Sequence, residues 1–497
     1  MNRSDHRRST VGLDLGTSGV RAVVLDCHTG EIQSEATQPV GVRTGGDLVT
    51  ADADEIVDAV LTVLARTPAE LAADVAAIGF SVQGEAFVPL DRFGRAVDRV
   101  PLSMDKRGAG QVSRMADALG AERFQQLTGQ PLNEMFPVFK IAAESDRWDA
   151  ARYLGLGDHV LTQLGGGALT DWTQAARTGL FDVEARAWSQ ILAEPMGLAC
   201  VTSRMARPVA AGTVAGTLSA DIASLSGLSS STRLVVGMHD QAAAFLGAGG
   251  VADHTAVMSL GTSECVTVGS GTRLRLEGTG VACYPALPGL WMTLAGTAAG
   301  GWGLTWLAEL TGAATPQQQK ALLDAPAAQP GEVLLLPYFT GSGTLDNDPV
   351  ARGTITGLTL NTRADQLVRA FYESSGYEMA KVLGALSGQI GISAVHIAGA
   401  GSQNRRAVQI RADAIDLTLS PVHPQAAARG AAVLAGGALG ESVPAPQLCG
   451  AAVVPNLDHR ERHLHRRQAY RDLYDAIAGL RPESAPTTTE APRGTIR

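Results

Sequence analysis

The sequence predicts a two-lobed α/β protein with a cleft between its lobes. Within residues 11–26, apolar residues alternate on both sides of Gly16-Thr17-Ser18-Gly19, a pattern typical of two strands joined by a tight hairpin. The tetrapeptide Leu-Gly-Thr-Ser stands at 15–18 and again at 260–263, half the chain later. Two copies of one hairpin, each near the start of one half, indicate a duplicated structure in which each half is an α/β layer.

The spacing of apolar residues predicts the further elements of both halves. The first half is expected to contain a strand followed by a loop at 75–87, a helix at 111–127 and mostly helix at 138–164. The second half is expected to contain helices at 295–310, 363–386 and 423–439, and a short strand at 395–398. The helix at 423–439 is rich in Ala and Gly, so we expect its backbone to approach a neighbour closely.

The domain boundary is expected at the Gly-Ala-Gly-Gly segment 247–250, which offers hinge chemistry. We therefore predict a flexible leader at 1–9, a first lobe at 10–248 and a second lobe at 249–445. The remaining residues, 446–497, are expected to form a basic helix up to residue 480 and then a tail with the composition of a disordered segment.

Composition excludes several classes of protein. The chain has 497 residues, of which 45% are hydrophobic and 18% charged, so wholesale disorder is excluded. The net charge of −9 opposes a main role in coating nucleic acid or an anionic membrane, and we expect neither as a partner. Five scattered cysteines support neither a disulfide framework nor a zinc ribbon, and they favour a reducing compartment such as the cytoplasm.

No segment reads as a signal peptide or a membrane span. The apolar stretch after the basic N-terminus is broken at once by Asp14 and by glycines. The longest stretch without charge, 278–308, is long enough to cross a bilayer, but it contains Pro285, Pro288 and many Gly and Thr residues. We interpret it as buried structure of a soluble protein.

The two hairpin tips are suited to phosphate. A Gly-Thr-Ser tip offers closely spaced backbone N–H groups and two hydroxyls to phosphate oxygens. A polyphosphate held between two lobes needs contacts from both, so the tips at 16–18 and 261–263 predict a nucleotide in the cleft. Asp14, two residues before the first tip, has the chemistry to hold Mg²⁺ directly or through water. Ser259 takes its place in the second copy, so the metal is expected on one lobe only.

Other nucleotide and metal motifs fit less well. A P-loop needs a Lys directly after its second Gly, and none of the four lysines stands in that context. Residues 247–252 match the Gly-x-Gly-x-x-Ala fingerprint of a dinucleotide-binding oxidoreductase, which stays open as an alternative. His459, His463 and His465 have the helical spacing of a metal site, but they lie among arginines, and we interpret them as a solvated basic face.

Asp240 stands at the end of an apolar strand and before a helix of small residues. Open α/β sheets bind ligands where their strands end at the cleft, and a carboxylate there is able to take the proton of a hydroxyl nucleophile. Helix capping is the other interpretation of this position. The local pattern favours neither.

Eight segments together resemble the FGGY family of carbohydrate kinases, which belongs to the sugar kinase, Hsp70 and actin superfamily. They occur in the family's order from about residue 11 to 440 and read VGLDLGTSGVRAVVLD, FSVQGEAFVPLD, SMDKR, LTDWTQAARTGLFDV, GMHDQAAAFLGAG, SLGTSE, LLLPYFTGSGTLDNDPVARGTITGL and HIAGAGSQNRRAVQIRADAI. The resemblance implies two actin-like, ribonuclease H-like lobes with nucleotide and sugar bound in the cleft between them. It also implies transfer of the ATP γ-phosphoryl group to a hydroxyl of a sugar or polyol.

The resemblance assigns roles to residues. Asp240 matches the family's catalytic base and Asp14 its Mg²⁺-associated acid. The positions that match the nucleotide-binding residues are Gly16, Thr17, Ser18 and Arg21 for the first phosphate loop, Gly261 and Thr262 for the second, and Gly301, Gly399, Ala400, Gly401 and Asn404 for the adenosine pocket. The sugar side is similar at Gln83, Glu85, Asp105, Asp240 and Gln241, whose side chains offer both donors and acceptors to hydroxyls.

The acceptor is open within this family. Gln83-Gly84-Glu85 stands where xylulokinases typically have Met-His and glycerol kinases have Gln-Arg-Glu, while the length and the other motifs look pentulokinase-like. Ser103 replaces a Trp of many members, and Ser342-Gly343 replaces a frequent acidic-basic pair. We expect a ketopentose such as xylulose, with a polyol as the other choice; the family allows a homodimer. A nucleotide-binding regulatory or chaperone-like ATPase of the same superfamily is the alternative function.

Overall fold

A computed structural model describes residues 8–251, 254–276, 278–297 and 300–480. Almost all of the predicted leader and the whole predicted tail at 481–497 lie outside the described residues. Within these ranges each half of the chain forms one main sheet with helices packed on it. The α/β class predicted from the sequence is confirmed.

The first half contains the following elements. Its strands are β1 (Ser9–Gly16), β2 (Gly19–Asp26), β3 (Ile32–Pro39), β4 (Arg43–Gly45), β5 (Leu48–Ala51), β6 (Val75–Val82), β7 (Phe87–Leu90), β8 (Val100–Pro101), β9 (Arg152–Gly155), β10 (Leu169–Asp171), β11 (Phe181–Asp182), β12 (Ala187–Trp188), β13 (Arg207–Val209), β14 (Val214–Thr217), β15 (Arg233–Val235) and β16 (Met238–His239). Its helices are α1 (Ala53–Ala65), α2 (Ala69–Ala72), α3 (Val112–Leu119), α4 (Ala121–Thr128), α5 (Pro137–Glu144), α6 (Leu156–Gln163), α7 (Trp172–Ala176), α8 (Gln190–Ala193), α9 (Ala220–Ser226) and α10 (Asp240–Gly247).

The second half contains the remaining elements. Its strands are β17 (Thr255–Leu260), β18 (Glu264–Ser270), β19 (Ala282–Leu287), β20 (Leu290–Thr297), β21 (Leu334–Leu336), β22 (Thr354–Thr356), β23 (Ala394–Ala398) and β24 (Leu419–Pro421). Its helices are α11 (Gly301–Leu310), α12 (Pro316–Asp324), α13 (Ala364–Ile390), α14 (Arg405–Ile415), α15 (Ala426–Ala438) and α16 (Arg460–Gly479).

The two main sheets share one pairing pattern. In the first, β3, β2 and β1 pair antiparallel, and β1, β6 and β15 then pair parallel. In the second, β20, β18 and β17 pair antiparallel, and β17, β23 and β24 then pair parallel. The predicted Gly-Thr-Ser hairpins β1–β2 and β17–β18 therefore occupy the same place in each sheet. The duplication expected from the repeated tetrapeptide is confirmed at the level of strand order.

Helix α15 joins the two halves by close backbone packing. It follows β24 of the second sheet but lies against β1, β6 and α10 of the first half. A Cβ atom at Gly12 would lie 1.8 Å from the Ala428 carbonyl oxygen, and one at Gly430 would lie 1.8 Å from the Ala243 carbonyl oxygen. These approaches confirm the expectation that the small residues of this helix allow close backbone contact.

Three predicted helices differ from the structure. The segment 111–127 divides into α3 and α4 at Gly120, whose φ of 82° ends the first helix. The segment 138–164 contains α5 and α6, but strand β9 lies between them. The segment 295–310 begins as strand β20, and its helix starts only at Gly301. Short apolar runs fit a buried strand as well as a helix, so sheet partners decide between the two.

No helix of the described residues is long and apolar enough to cross a membrane. The charge-free stretch 278–308 contributes β19, β20 and most of α11, with residues 298–299 outside the described residues. The oxidoreductase fingerprint at 247–252 is not in a dinucleotide-binding context, because Gly247 ends helix α10 instead of following a strand.

The C-terminal helix α16 is not a solvated basic face on every side. His463 is only 1% exposed, and Tyr470 packs with Tyr338 and Tyr377 of the second half. His465 is exposed, as the sequence interpretation requires. The interpretation of the three histidines as one solvated face is therefore wrong for His463.

The packing of α15 predicts a sharp difference between two glycines of that helix. Gly430→Ala should lower stability by about 1–3 kcal/mol or more, because the added methyl overlaps the Ala243 carbonyl oxygen. Gly437→Ala should be neutral or stabilise by up to about 1 kcal/mol, because no atom lies within 4 Å of its Cβ position. Urea denaturation of both variants makes the comparison. Equal midpoints would contradict the proposed contact.

Candidate active site

A cavity of about 720 Å³ opens between the two hairpin tips. Most sequence-predicted site residues line it, from both halves of the chain. They are Asp14, Gly16, Thr17, Ser18, Arg21, Asp240, Gln241, Gly261, Thr262, Gly301, Gly399, Ala400, Gly401 and Asn404. The predicted sugar-side residues Gln83, Glu85 and Asp105 do not line this cavity.

The first hairpin tip is tied to the loop after β6. Thr17 Oγ1 donates a hydrogen bond of 2.9 Å to Gln83 Oε1, and the Gln83 backbone N–H donates to the Leu15 carbonyl oxygen. β6 pairs parallel with β1, so the ends of both strands meet at the same edge of the sheet. This register places Gln83, which was predicted to contact the sugar, beside the first predicted phosphate loop at 16–18.

The second hairpin tip is backed by a helix N-terminus. The Gly301 backbone N–H donates a 2.9 Å hydrogen bond to the Gly261 carbonyl oxygen, and α11 begins at this residue. A Cβ atom at Gly300 would lie 2.7 Å from the Thr262 carbonyl oxygen, so the chain requires Gly there. Backbone N–H groups at a helix start favour anions, which suits this end of the cavity to phosphate oxygens.

Asp14 is buried near the end of β1, two residues before the hairpin tip. Its Oδ1 accepts a 2.8 Å hydrogen bond from Ser81 Oγ, and its Oδ2 accepts one of 3.2 Å from Arg21 Nη1. Burial raises the pKa of Asp14 above its usual value, while Ser81 and Arg21 oppose the rise. Arg21 lies opposite Asp14 in the β1–β2 register, so the hairpin itself sets this pair.

Asp240 begins helix α10 directly after strand β16 and faces the cavity. Its side chain is 31% exposed. The surrounding protein raises the pKa of Asp240 to about 7, first by removing water from the carboxyl and then through the negative charges of Asp14 and Glu85. A carboxyl that titrates near neutrality is suited to accept a proton from a substrate hydroxyl.

His239 and Tyr284 support Asp240, and sequence reasoning missed both. His239 Nε2 lies 3.2 Å from Asp240 Oδ1, and its Nδ1 lies 3.2 Å from Tyr284 Oη. Burial holds the pKa of His239 well below its usual value, so the ring is neutral. Tyr284 stays protonated because burial raises its pKa, so its hydroxyl is able to donate to Nδ1 of the neutral ring. Tyr284 belongs to β19, so this contact joins the two halves.

Glu85 is paired with Arg177, which sequence reasoning did not select although it lies in the quoted segment 169–183. The guanidinium of Arg177 contacts the Glu85 carboxylate and donates a 2.9 Å hydrogen bond to Gln130 Oε1. A Cβ atom at Gly84 would lie 3.0 Å from His239 Nε2 and 3.3 Å from Arg177 Nε. Gly84 therefore lets the Arg177 and His239 side chains reach the loop that carries Glu85.

Asp105 lies apart from the other predicted residues. Its carboxylate is fully buried and accepts hydrogen bonds from Arg107 Nε at 2.7 Å, Arg107 Nη2 at 2.9 Å and the Val49 backbone N–H at 3.0 Å. Both oxygens are thus occupied by neighbours. In this structure Asp105 makes a local ion pair and is not brought together with the cavity residues.

Four of the five predicted adenosine residues follow strand β23, and the fifth, Gly301, begins α11. Gly399 adopts a φ of 89°, and a Cβ atom there would lie 2.7 Å from the Leu260 carbonyl oxygen, so a Gly is required. Asn404 caps α14: its side chain accepts from the Ala407 backbone N–H at 3.0 Å and donates to the Leu323 carbonyl oxygen at 3.1 Å. This places a tight glycine turn and a fixed amide on the far side of the cavity.

A buried ion pair forms part of the cavity wall and was also missed. Arg411 of α14 contacts the Glu264 carboxylate and donates a 3.1 Å hydrogen bond to Ser375 Oγ. Its guanidinium lies 4.7 Å from the centre of the Tyr372 ring. Arg411 Nη1 has no hydrogen-bond partner among the described residues. The pair connects the strand after the second hairpin tip to the helix that carries Asn404.

The donor set of the cavity fits Mg²⁺. Asp14 and Asp240 both line it, and the negative charge of Asp14 is one cause of the raised pKa of Asp240. Mg²⁺ in phosphate sites is usually bound by one or two carboxylates together with phosphate oxygens. Asp14, a carboxylate beside two phosphate-type hairpins, meets that requirement.

Comparison with known proteins places the whole chain among sugar kinases. Residues 9–247 match the N-terminal domain of the FGGY family of carbohydrate kinases, and residues 256–439 match its C-terminal domain. The xylulose kinase of Streptomyces rubiginosus is 33% identical over 75% of this chain and 75% of its own length. The glycerol kinase of Psychromonas ingrahamii is 27% identical over 95% of this chain and 96% of its own length.

Solved structures share the fold. The xyloylose kinase of Brucella ovis superposes with a TM-score of 0.85 at 26% identity, over 95% of this chain and 100% of that one. The gluconate kinase of Lactobacillus acidophilus superposes with a TM-score of 0.86 at 19% identity, over 95% and 99% of the two chains. The expected two-lobed architecture of this fold is confirmed.

Because Arg411 and Glu264 are paired, we expect the loss of stability caused by substituting Arg411 to be reduced when Glu264 is substituted as well. Arg411→Met leaves the Glu264 carboxylate buried without its cation and should cost about 3–5 kcal/mol in the free energy of unfolding. The double variant Arg411→Met with Glu264→Gln should recover much of this loss, because no unpaired charge remains. Urea denaturation measures both. A double variant that is less stable than Arg411→Met would contradict the pairing.

Proposed function

Because the chain belongs to the FGGY family of carbohydrate kinases, we propose that it transfers the γ-phosphoryl group of ATP to a hydroxyl of a neutral sugar or polyol, with Asp240 as the base. One observation carries the assignment of the site: both hairpin tips and Asp240 line a single cavity. Phosphoryl transfer depends mainly on positioning and on neutralising charge, and this arrangement supplies contacts for both.

Asp240 takes the proton in this mechanism. The acceptor oxygen forms a bond to the γ-phosphorus, the bond from that phosphorus to the bridging oxygen of ADP breaks, and the hydroxyl proton moves to the Asp240 carboxylate. Its pKa of about 7 leaves a large deprotonated fraction at neutral pH while keeping the carboxylate basic. The neutral His239 ring, whose Nε2 lies 3.2 Å from Asp240 Oδ1, adds no positive charge beside the carboxylate.

The two phosphate loops and Asp14 are assigned to ATP and its metal. Backbone N–H groups of the tip at 16–18 and of Thr262 would bind phosphate oxygens, and Arg21 adds a positive charge beside Asp14. Asp14 would hold Mg²⁺, which when bound orients the phosphates and offsets their charge. On the adenosine side we assign Gly301, Gly399, Ala400, Gly401 and Asn404, all of which line the cavity.

The acceptor subsite is proposed at Gln83, Glu85 and Gln241. Gln241 Oε1 is buried and has no hydrogen-bond partner among the described residues, so it is free to accept from a substrate hydroxyl. The positive charge of Arg177 is already taken by Glu85, which leaves it poorly placed to bind an acidic sugar. These features favour a neutral acceptor.

A ketopentose such as xylulose is our first choice of acceptor, and a polyol such as glycerol is our second. Asp105 stays a predicted substrate contact that requires rearrangement of its Arg107 pair.

The state of the cysteines indicates the compartment in which we propose that the protein works. All five cysteines are free in the structure, which supports a reducing compartment such as the cytoplasm. We propose small molecules as the partners of the site, and the family allows a homodimer.

An acceptor panel tests the function. Purified protein with MgATP should release ADP at least tenfold faster with one member of a panel of ketopentoses, ketohexoses, deoxysugars, sugar acids and polyols than without acceptor. Asp240→Asn should reduce this release by a factor of about 10² or more, because the amide cannot accept the proton. ATP binding, measured by calorimetry, serves as the control and should persist. Full activity of Asp240→Asn would contradict the base assignment, and equal ADP release with and without every acceptor would contradict the kinase.

The pH profile tests the environment of Asp240. The kcat/KM for MgATP should fall about tenfold per pH unit below about pH 7 and level off above it, because only the deprotonated carboxylate is a base. In Glu85→Gln the fall of kcat/KM on the acidic limb of the profile should begin at a lower pH, because the substitution removes one of the negative charges that raise the pKa of Asp240. His239 does not account for the limb, because its own pKa is held well below the usual range. A profile that is flat between pH 5.5 and 8 would refute this account.

A further inference from the structure

Three side chains meet between helices α14 and α16, outside the cavity described above. Asp413 lies on α14, His459 directly precedes α16, and His463 lies one turn into α16. One ring nitrogen of each histidine and one carboxylate oxygen of Asp413 lie within 4.8 Å of one another. Asp413 and His463 are buried, and His459 is partly exposed.

The separation of two of these groups already suits a metal. His459 Nδ1 lies 3.3 Å from Asp413 Oδ2. Bonds of about 2.0–2.1 Å from Zn²⁺ to nitrogen or oxygen place two tetrahedral ligands about 3.4 Å apart. The other carboxylate oxygen, Oδ1, accepts hydrogen bonds of 2.8 Å from the Asn456 backbone N–H and from Gln409 Nε2. These contacts hold the carboxylate with Oδ2 turned toward His459, as outer contacts orient the ligands of known metal sites.

His463 carries an unused nitrogen inside the protein. The residue is 1% exposed, and its Nδ1 lies 2.9 Å from Tyr377 Oη. Its Nε2 is buried and has no hydrogen-bond partner among the described residues. When Nδ1 carries the proton and donates to Tyr377, Nε2 has a free lone pair. Metal-bound histidines typically have this arrangement, in which the nitrogen that does not bind the metal donates a hydrogen bond.

We propose that Asp413, His459 and His463 form a site for a divalent transition-metal ion of the Zn²⁺ type. Two imidazoles separated by three residues, with one carboxylate, are a donor set that Zn²⁺ favours and Mg²⁺ does not. Water completes the fourth position, on the partly exposed side of His459. This site is separate from the Mg²⁺ site proposed for catalysis.

The arginines around this site are paired elsewhere. Arg460 Nε lies 2.8 Å from Asp416 Oδ2, and Arg462 contacts Glu332. Arg369 and Arg466 share Glu373, at 2.8 Å and 3.6 Å. Three carboxylates therefore offset most of the charge of these four arginines, which reduces their repulsion of a cation. The arginine context that favoured a solvated face in the sequence does not exclude a metal here.

A bound ion would fasten the C-terminal helix to the nucleotide side of the protein. α14 begins after Asn404 and carries Arg411, and both residues line the cavity. Asp413 lies two residues beyond Arg411 on the same helix. The metal would thus connect α16 to a helix that forms one wall of the cavity. Its effect is expected first on stability.

Metal binding by the full chain tests the proposal without relying on kinase activity. Protein made without a histidine tag, with Cys200→Ser and Cys449→Ser to remove the two exposed thiols, is treated with a chelator and dialysed. After addition of Zn²⁺, elemental analysis should find one zinc per chain, and the midpoint of thermal unfolding should rise. Mg²⁺ at the same concentration should not produce this rise.

Matched variants assign the ion to its ligands. His459→Ala, at the partly exposed ligand, should weaken Zn²⁺ binding at least about tenfold in competition with a chromophoric chelator. His463→Gln should also weaken Zn²⁺ binding. If the loss of buried His463 impairs folding, His459→Ala alone still tests the site. His465→Ala, at an exposed histidine of the same helix, should bind Zn²⁺ like the parent. The absence of stoichiometric zinc in the parent, or equal affinity in His459→Ala and His465→Ala, would overturn the proposal.

Discussion

The backbone contact between helix α15 and the first half is the constraint on which the cleft depends. Gly12 and Gly79, in two adjacent strands, leave room for the carbonyl groups of Ala428 and Ala431, and Gly247 and Gly430 let α10 and α15 touch. β1 leads to the first phosphate hairpin, and α10 begins with Asp240. A side chain at any of these glycines would separate the elements that carry the reactive groups. Small residues that do not line the cavity therefore set the positions of the base and of the first hairpin tip.

Charge inside the cleft is distributed so that one carboxylate stays available. Asp14 is paired with Arg21, and Glu85 with Arg177, while neutral His239 lies 3.2 Å from Asp240. A cation in direct contact would lower the pKa of Asp240 and weaken it as a base. Neutral His239 has no such effect, while burial and the two neighbouring acids keep the pKa of Asp240 near neutrality. Arg21 and Arg177 offset part of the cost of burying Asp14 and Glu85.

Local patterns predicted the hairpins and the long helices because their contacts are close in sequence. Alternation on both sides of a Gly-Thr-Ser tip identifies antiparallel partners a few residues apart, and the structure has them at β1–β2 and β17–β18. The predicted helix at 295–310 overlaps the end of strand β20, because a short apolar run fits a buried strand as well as a helix. The segment 290–297 forms a strand because β18 and β19 pair with it on both sides. Those partners are separated from it by loops that no local pattern specifies.

The sequence by itself determined the fold class, the two equivalent hairpins, the family, and many of the residues that line the cavity, because these follow from short motifs and their order. Only the tertiary structure decided which side chains support them. His239, Tyr284 and Arg177 converge on Asp240 and Glu85 from separate elements, and Asp105 turns instead to Arg107. His463 is buried because α16 packs across the second half. Hydrogen-bond partners and burial depend on contacts between residues far apart in the chain, so the order of residues alone does not reveal them.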